Sequence, residues 1–241
     1  YYPVGNADCT LIKLDNGMTI IVDCQILSDL TDGKGKQINY DVKADLLKEL
    51  KKDTSGRPYV DLFISTHPHD DHCKGFEDNF YHGKIDDYDK DKNKNEIIIE
   101  ELWITPRGLK NNLADTAVAV RKEAKRRKEL YDDNPDFKGS RGNYLRIIGY
   151  DQDKEFDSRY CYVQTSKKYD DKNATSIVVQ FWFKVEIAGE VYYKTRVLMG
   201  GDAEHDIWQH ILDNNSDDEK LKWNIFLSPH HCSWSFFNVS D

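Results

Sequence analysis

Three histidines and two aspartates fall within six positions in Thr66-His67-Pro68-His69-Asp70-Asp71-His72-Cys73-Lys74-Gly75. Imidazole and carboxylate are the ligands that hold Zn, Mn or Fe without thiolates. His67 and His69, two apart on an extended loop, can point to one side, toward a first metal. Asp71 and His72 are adjacent, so a turn or helix start there aims them at a second site a few Å away. Two such sites make a two-metal hydrolase centre. A polar loop whose histidines merely cap and solvate is the plainer reading of any single histidine. It is a poor account of the full His-x-His-x-Asp-His pattern.

Two further features bear charge that could meet an anion. Arg121-Lys122-Glu123-Ala124-Lys125-Arg126-Arg127-Lys128 holds six positive charges and one negative. On a helix with Val120 and Ala124 facing inward, most of those charges are expected on the solvent side. That is either an ordinary solvated face or a phosphate-tracking ridge in which Arg121, Arg126 and Arg127 meet the substrate. Arg107, at the end of a strand, could similarly clamp a phosphate.

The elements that must position these residues are legible in outline. Cys9–Leu14 and Met18–Val22 flank Asp15-Asn16-Gly17, a strong hairpin signal. A Gly/Lys-rich loop spans Asp32 to Gln37, and Val42, Leu46, Leu47 and Leu50 recur at helical spacing. Val60–Ser65 reads as a buried strand delivering the chain into the histidine cluster. Ile85–Asn95 lacks apolar periodicity and is expected to be a mobile loop. Glu96–Thr105 is a strand, and Leu113, Ala117, Val120 and Ala124 mark a long helix ending near Asp132. Residues 136–172 give no clear pattern beyond one or two strands. Ser176–Ile187 and Val191–Met199 form a second hairpin around Gly189, Ala203–Asn214 a helix, and Leu221–Leu227 the last strand. Strands interleaved with helices predict one α/β domain over 1–241, with a charged insertion around 84–175.

Composition sets the outer limits. The 241 residues carry 34 Lys+Arg against 43 Asp+Glu, a formal net charge of −9. That balance argues against a protein coating nucleic acid over its whole surface, but not against a local basic groove. No apolar stretch approaches the ~20 residues a membrane helix needs. Five cysteines, an odd count without a Cys-x-x-Cys pair, fit neither a disulfide scaffold nor a zinc ribbon, and reduced thiols suggest a cytoplasmic protein. The chain opens at Tyr1-Tyr2-Pro3-Val4 without an initiator Met, so a few preceding residues are expected to be missing, as for one domain or subunit of a larger assembly.

The histidine stretch resembles motif two of the metallo-β-lactamase fold superfamily, and further motifs follow in the expected order. Asp23, ending Thr19-Ile20-Ile21-Val22-Asp23, resembles the motif-one aspartate that supports the histidine loop from behind the ligands. Gly200-Gly201-Asp202 is similar to the motif whose aspartate bridges two metals. Ser228-Pro229-His230-His231-Cys232-Ser233 resembles the final histidine motif. Within the superfamily the sequence looks like the branch that includes the hydrolase domain of the competence protein ComEC. Val4-Gly5-Asn6-Ala7-Asp8 resembles its opening Val-Gly-Gln-Gly-Asp, and Asn173-Ala174-Thr175-Ser176 its Asn-x-x-Ser. Asn6 and Ala7 depart from that pattern, as does Cys232, which replaces a glycine.

The resemblance implies an αββα sandwich of two mixed sheets with helices on the outer faces. It also implies two divalent ions, Zn or Mn, held by His67, His69, Asp71, His72, Asp202 and one of His230 and His231, with Asp71 and Asp202 in the catalysis. Asp23 and Asp8 would support the ligands, and Asn173 would meet substrate. Alone, Asp202 also reads as a helix N-cap, and the two roles are compatible. No histidine lies between 83 and 204 to complete the first metal site, as is common in the ComEC-like branch. With fewer neutral nitrogen ligands, preference shifts from Zn toward Mn. His205 and His210 read as surface or packing residues, His82 as solvated, and Cys73 and Cys232 as small buried residues. The implied activity is metal-dependent hydrolysis of phosphodiesters, as a nuclease on DNA or RNA. A hydrolase of small phosphorylcholine esters, cyclic nucleotides or lactones, and a non-catalytic metal-stabilised interaction module, are the alternatives.

Overall fold

The computed structural model describes residues 1–27, 31–134, 136–148, 155–157, 161–164, 172–213 and 221–237. These residues form a mixed α/β protein with two mixed sheets and five helices, divided into two compact units. Unit 1 comprises Tyr1–Ile104 and Gly108–Ile147, and unit 2 comprises Thr105–Arg107 and Ile148–Asp241.

Unit 1 starts with the expected hairpin. Strands β1 (Thr10–Lys13) and β2 (Thr19–Val22) pair antiparallel, with Thr10 opposite Val22. The turn closes through Gly17 at φ 80°, while Asn16 stays at negative φ and accepts the Met18 N–H through Oδ1 at 2.9 Å. Strand β3 (Cys24–Gln25) follows, then helix α1 (Val42–Glu49), whose N-terminus Asp41 caps by accepting the Ala44 N–H at 2.9 Å. β4 (Lys51–Lys52) is a short antiparallel edge on β5 (Pro58–Ile64). β5 runs parallel to β2 on one side and to β6 (Ile98–Ile104) on the other, and β6 pairs parallel with β7 (Tyr144–Ile147).

Because β5 is central and parallel-paired, both its faces are covered. Leu62, Phe63 and Ile64 form a continuous buried apolar run into the histidine loop, whereas half-buried Tyr59 and Asp61 alternate with buried Pro58 and Val60 before it. Phe63 meets Phe76 and Phe80 edge-on at 5.3 and 5.0 Å, beneath helices α2 (Asp70–Cys73) and α3 (Phe76–Asn79). Gly75, between those helices, has φ 83°, and a Cβ there would lie 2.2 Å from the Ile26 carbonyl oxygen. The close return of the histidine loop onto β3 therefore requires glycine.

Helix α4 (Ala117–Asp133) begins later than the periodicity from Leu113 suggested. Leu113 instead packs on the core from the approach to the helix. Two expectations about unit 1 are corrected. Arg127 does not face solvent: it is 1% exposed and donates from Nη1 to Tyr144 O and from Nη2 to Ile99 O, each at 2.8 Å. Its charge is met by Glu123, whose Oε1 lies 2.7 Å from Nε. The Ile85–Asn95 segment is not a detached loop, since Tyr88 is buried against Tyr81 and Ile98.

Unit 2 holds the five-stranded sheet β12-β11-β10-β9-β8. β8 (Glu155–Asp157), β9 (Cys161–Gln164), β10 (Val178–Ile187) and β11 (Glu190–Met199) are successive antiparallel neighbours, and β12 (Ile225–Phe226) joins β11 in parallel. The last strand is thus shorter than the Leu221–Leu227 run predicted. Helix α5 (His205–Asp213) lays Ile207 and Ile211 on Ala174, Val178, Leu198 and Ala203. Much of the stretch 136–172 without a clear pattern lies outside the described residues. Among the described residues, no helix is long and apolar enough to cross a membrane.

Candidate metal-ligating residues

In unit 1 the histidine loop leaves the C-terminal end of β5, where a parallel sheet exposes its loops to ligands. Asp23 N–H donates to Ile64 O at 2.9 Å, holding the β2 terminus beside that exit. Asp23 itself adopts φ 54°, which turns its side chain back into the loop. Its carboxylate is 1% exposed and accepts three hydrogen bonds. Thr66 N–H donates to Oδ1 at 2.8 Å, Thr66 Oγ1 to Oδ2 at 2.6 Å, and His72 Nδ1 lies 2.8 Å from Oδ2.

These contacts set two imidazole tautomers. A carboxylate accepts only, so His72 carries its proton on Nδ1 and presents the lone pair of Nε2. Thr66 spends its hydroxyl proton on Asp23, so the 3.1 Å contact between Thr66 Oγ1 and His67 Nδ1 is donated by the histidine. His67 then also presents Nε2 as a lone-pair nitrogen. One buried carboxylate therefore orients two histidines, which is how metal-binding imidazoles are held.

The spacing of the donor atoms agrees with that use. His67 Nε2 and His69 Nδ1 are 3.2 Å apart. Two nitrogens at tetrahedral Zn–N bond lengths would be separated by about 3.3 Å. Asp71 Oδ1 lies 3.9 Å from His72 Nε2, and the His67 and His72 rings are 4.1 Å apart. Asp8 sits behind His72, its Oδ2 4.0 Å from Nδ1, with Oδ1 accepting from Tyr1 at 2.9 Å. Cys73 turns away, toward Ser65 Oγ and the His67 carbonyl at 3.8 Å, and burial pushes its thiol well above the usual range. A protonated, turned-away thiol is a packing group, and the donor set here is imidazole and carboxylate.

Unit 2 brings together Asp202, His230 and His231. Asp202 follows β11 through Gly200-Gly201, is 2% exposed, and takes its backbone N–H to Ser176 Oγ at 3.2 Å. A Cβ on Gly200 would lie 2.5 Å from Trp208 Cζ2 and 3.2 Å from Pro229, so glycine permits the close approach of β11, α5 and the final loop. Asp202 Oδ1 is 3.6 Å from His231 Nε2, and Oδ2 is 3.8 Å from His230 Nε2. Those separations exceed hydrogen-bond length, and the two histidines face different oxygens of the carboxylate, so each pair by itself has a spacing that two donors to a cation could adopt.

His230, His231 and Cys232 all adopt left-handed backbone, at φ 48°, 50° and 63°. Non-glycine residues in that region cost about 1–2 kcal/mol each. The turn is held by His230 N–H to Gly201 O at 3.0 Å and Ser233 N–H to His230 O at 2.7 Å. Cys232, expected to be a small buried residue, is exposed on this turn, because the left-handed run rotates it outward.

Sequence reasoning missed two groups around His230. Ser235 Oγ lies 2.8 Å from His230 Nδ1, and Glu204 Oε1 lies 3.4 Å from the same nitrogen. Their only signal was proximity in sequence to Asp202 and His230. Asn173 Nδ2 reaches Glu204 Oε1 at 3.3 Å and His230 Nε2 at 3.5 Å, which places this residue in the cluster. Of the other histidines, His82 is not solvated as expected. Its ring stacks on Phe76 at 5.1 Å and 11°, and burial lowers its pKa.

Arg107 is 7% exposed, in the short segment of unit 2 after β6. Arg126 spends its guanidinium on Glu123 at 2.7 and 2.8 Å and on Asn143 Oδ1 at 2.8 Å. With Arg127 buried, two of the three arginines proposed to meet substrate on α4 serve unit 1 itself. No protein-family model matches the chain, and no curated protein matches it.

Proposed function

We propose that this chain is a metal-dependent hydrolase with the αββα sandwich of the metallo-β-lactamase superfamily, acting on phosphodiester bonds. The ligand set that the resemblance implies is His67, His69, Asp71, His72, Asp202 and one of His230 and His231, for two divalent ions, Zn or Mn. The observation that carries this reading is the Asp23 relay. A single buried carboxylate places lone-pair nitrogens on His67 and His72 through bonds of 2.6–3.1 Å. A loop whose histidines only solvate has no need of buried, tautomer-fixing support.

The bound ions would supply Lewis acidity toward a phosphoryl oxygen and tolerance of the negative charge that develops there. The protein's own residues do the rest. Asp23 and Thr66 hold the imidazoles, and Asp71, partly exposed beside His72 Nε2, orients water by accepting its proton's hydrogen bond. Ser235 and Glu204 hold His230 from its Nδ1 side.

The test is metal analysis together with hydrolysis of single-stranded and plasmid DNA in added Mn or Zn, with His67→Ala/Asp71→Ala as control. Two ions per chain and cleavage that needs metal and vanishes in the double variant are expected. A metal-loaded protein that cleaves neither DNA nor a small phosphodiester would overturn the reading. Two tightly retained Zn ions in the purified protein would overturn the preference for Mn.

A further inference from the structure

We propose that Lys110, Lys122 and Lys125, braced by Arg121, form a track for the phosphate backbone of a polynucleotide that leads to the histidine loop. The proposal rests on the hydrolase reading above and selects a polymer over a small ester as its substrate.

Three observations within unit 1 carry it. The first is that the basic run of α4 is sorted by the fold. Glu123, the one acidic residue between positions 121 and 128, is drawn inward by Arg126 and Arg127, so it does not neutralise the outer face. Lys128 is paired with Asp132. Among the described residues, no carboxylate pairs with Lys110, Arg121, Lys122 or Lys125. In a chain of net charge −9, that is a local concentration of unbalanced positive charge.

The second is that a separate segment is fastened to this face. Arg121 Nη1 donates to the carbonyls of Lys110 and Asn111 at 3.2 and 3.0 Å, and Lys125 Nζ reaches Asn111 Oδ1 at 3.4 Å. Lys110 is thereby carried against the first turns of α4. Arg121 and Lys125 are one turn apart on one side of the helix, with Lys122 three residues before Lys125. The cations thus extend over about 6 Å of helix axis, with Lys110 beyond, a span that can meet about two successive phosphates of one strand. A small phosphodiester would engage one of them.

The third is where the track begins. Thr116, the residue before α4, donates Oγ1 to Asp70 Oδ1 at 2.6 Å. Asp70 opens α2 between His69 and Asp71. The N-terminal end of the ridge is therefore pinned to the loop that carries the candidate ligands. A phosphate chain lying on the ridge runs toward that loop.

The experiment is fluorescence anisotropy of a labelled single-stranded DNA 20-mer in EDTA, so that neither metal nor cleavage enters. The variant Lys110→Ala/Lys122→Ala/Lys125→Ala is compared with Lys34→Ala/Lys36→Ala/Lys48→Ala, which removes the same charge from other elements. Circular dichroism and the thermal midpoint verify that both are folded. The ridge variant is expected to bind about 100-fold more weakly at 0.1 M salt, with the log–log salt slope smaller by about 2. The control variant should retain most of the affinity. Equal loss in both variants, or no loss in either, overturns the ridge. Wild-type hydrolysis of bis(p-nitrophenyl) phosphate is measured alongside with added metal. Failure there counts against the hydrolase reading, whereas the EDTA comparison decides the ridge.

Discussion

Replacing Asp23 by Asn changes one atom and should cost the protein most of its metal affinity. The backbone tolerates the change, since Asn is at home at the φ of 54° that Asp23 adopts. The amide, however, has one acceptor oxygen where the carboxylate had two. With that oxygen on the Thr66 N–H, the amide NH2 faces Thr66 Oγ1 and His72 Nδ1, both donors in the native relay. His72 must then accept at Nδ1 and carry its proton on Nε2, the nitrogen that would bind metal. Turning the amide over sets its NH2 against the Thr66 N–H, which is worse.

Loss of such orienting support typically weakens metal binding 10- to 100-fold, or about 1.4–2.8 kcal/mol. The assay is calorimetric titration of chelator-stripped protein with Zn or Mn, with urea unfolding in EDTA to verify the fold. Thr66→Val is the companion variant. It removes the hydroxyl relay to His67 and leaves the His72 bond, so its loss should be smaller. An Asp23→Asn protein that folds and binds metal as tightly as wild type would refute the reasoning, because His72 would then not be a ligand oriented by Asp23.

Other predictions follow from the same contacts. Arg127→Ala should destabilise unit 1 by about 3–5 kcal/mol in urea unfolding, because it leaves the Ile99 and Tyr144 carbonyls without their donor and Glu123 less compensated. Gly200→Ala should cost about 1–3 kcal/mol and alter the near-ultraviolet signal of Trp208, since the added methyl falls 2.5 Å from that ring. Burial opposes ionisation of Asp53, but the Arg57 backbone N–H, the Arg57 guanidinium and Arg141 outweigh it and lower its pKa to about 2. A depressed carboxyl pKa stabilises the fold above the unfolded value and loses that contribution as pH falls. Asp53→Asn should therefore flatten the decline in stability between about pH 4 and pH 2, measured by thermal unfolding across that range.

Local patterns were enough for much of the scaffold. The hairpin of β1 and β2, the buried strand β5, helix α1 and the long hairpin of β10 and β11 all follow from turn residues and apolar patterning. Each signal acts within a few residues, so each can be read along the chain. Boundaries were less secure: α4 starts at Ala117 rather than near Leu113, and β12 is only two residues long.

What the one-dimensional pattern could not express is which charged group goes inside. Arg126, Arg127 and Lys128 are neighbours of similar type. Only the packing of α4 on β6 and β7 decides that Arg127 is buried on backbone carbonyls while Lys128 pairs with Asp132. His82 was read as solvated because it falls in a Tyr-His-Gly turn, yet Phe76 supplies a stacking surface from six residues away. Cys232 was read as small and buried, and the left-handed turn exposes it.

The residues able to bind metal were evident from the sequence alone, because ligand chemistry belongs to side-chain type and His-x-His-x-Asp-His is dense in it. The protonation pattern of those residues was not. Asp23 lies 43 positions from Thr66 and 49 from His72, and it meets them only because β2 and β5 are parallel neighbours ending at the same edge. Residue types determine which atoms can serve as ligands. The tertiary structure decides which nitrogen of each histidine presents a lone pair, because that depends on what stands behind the ring.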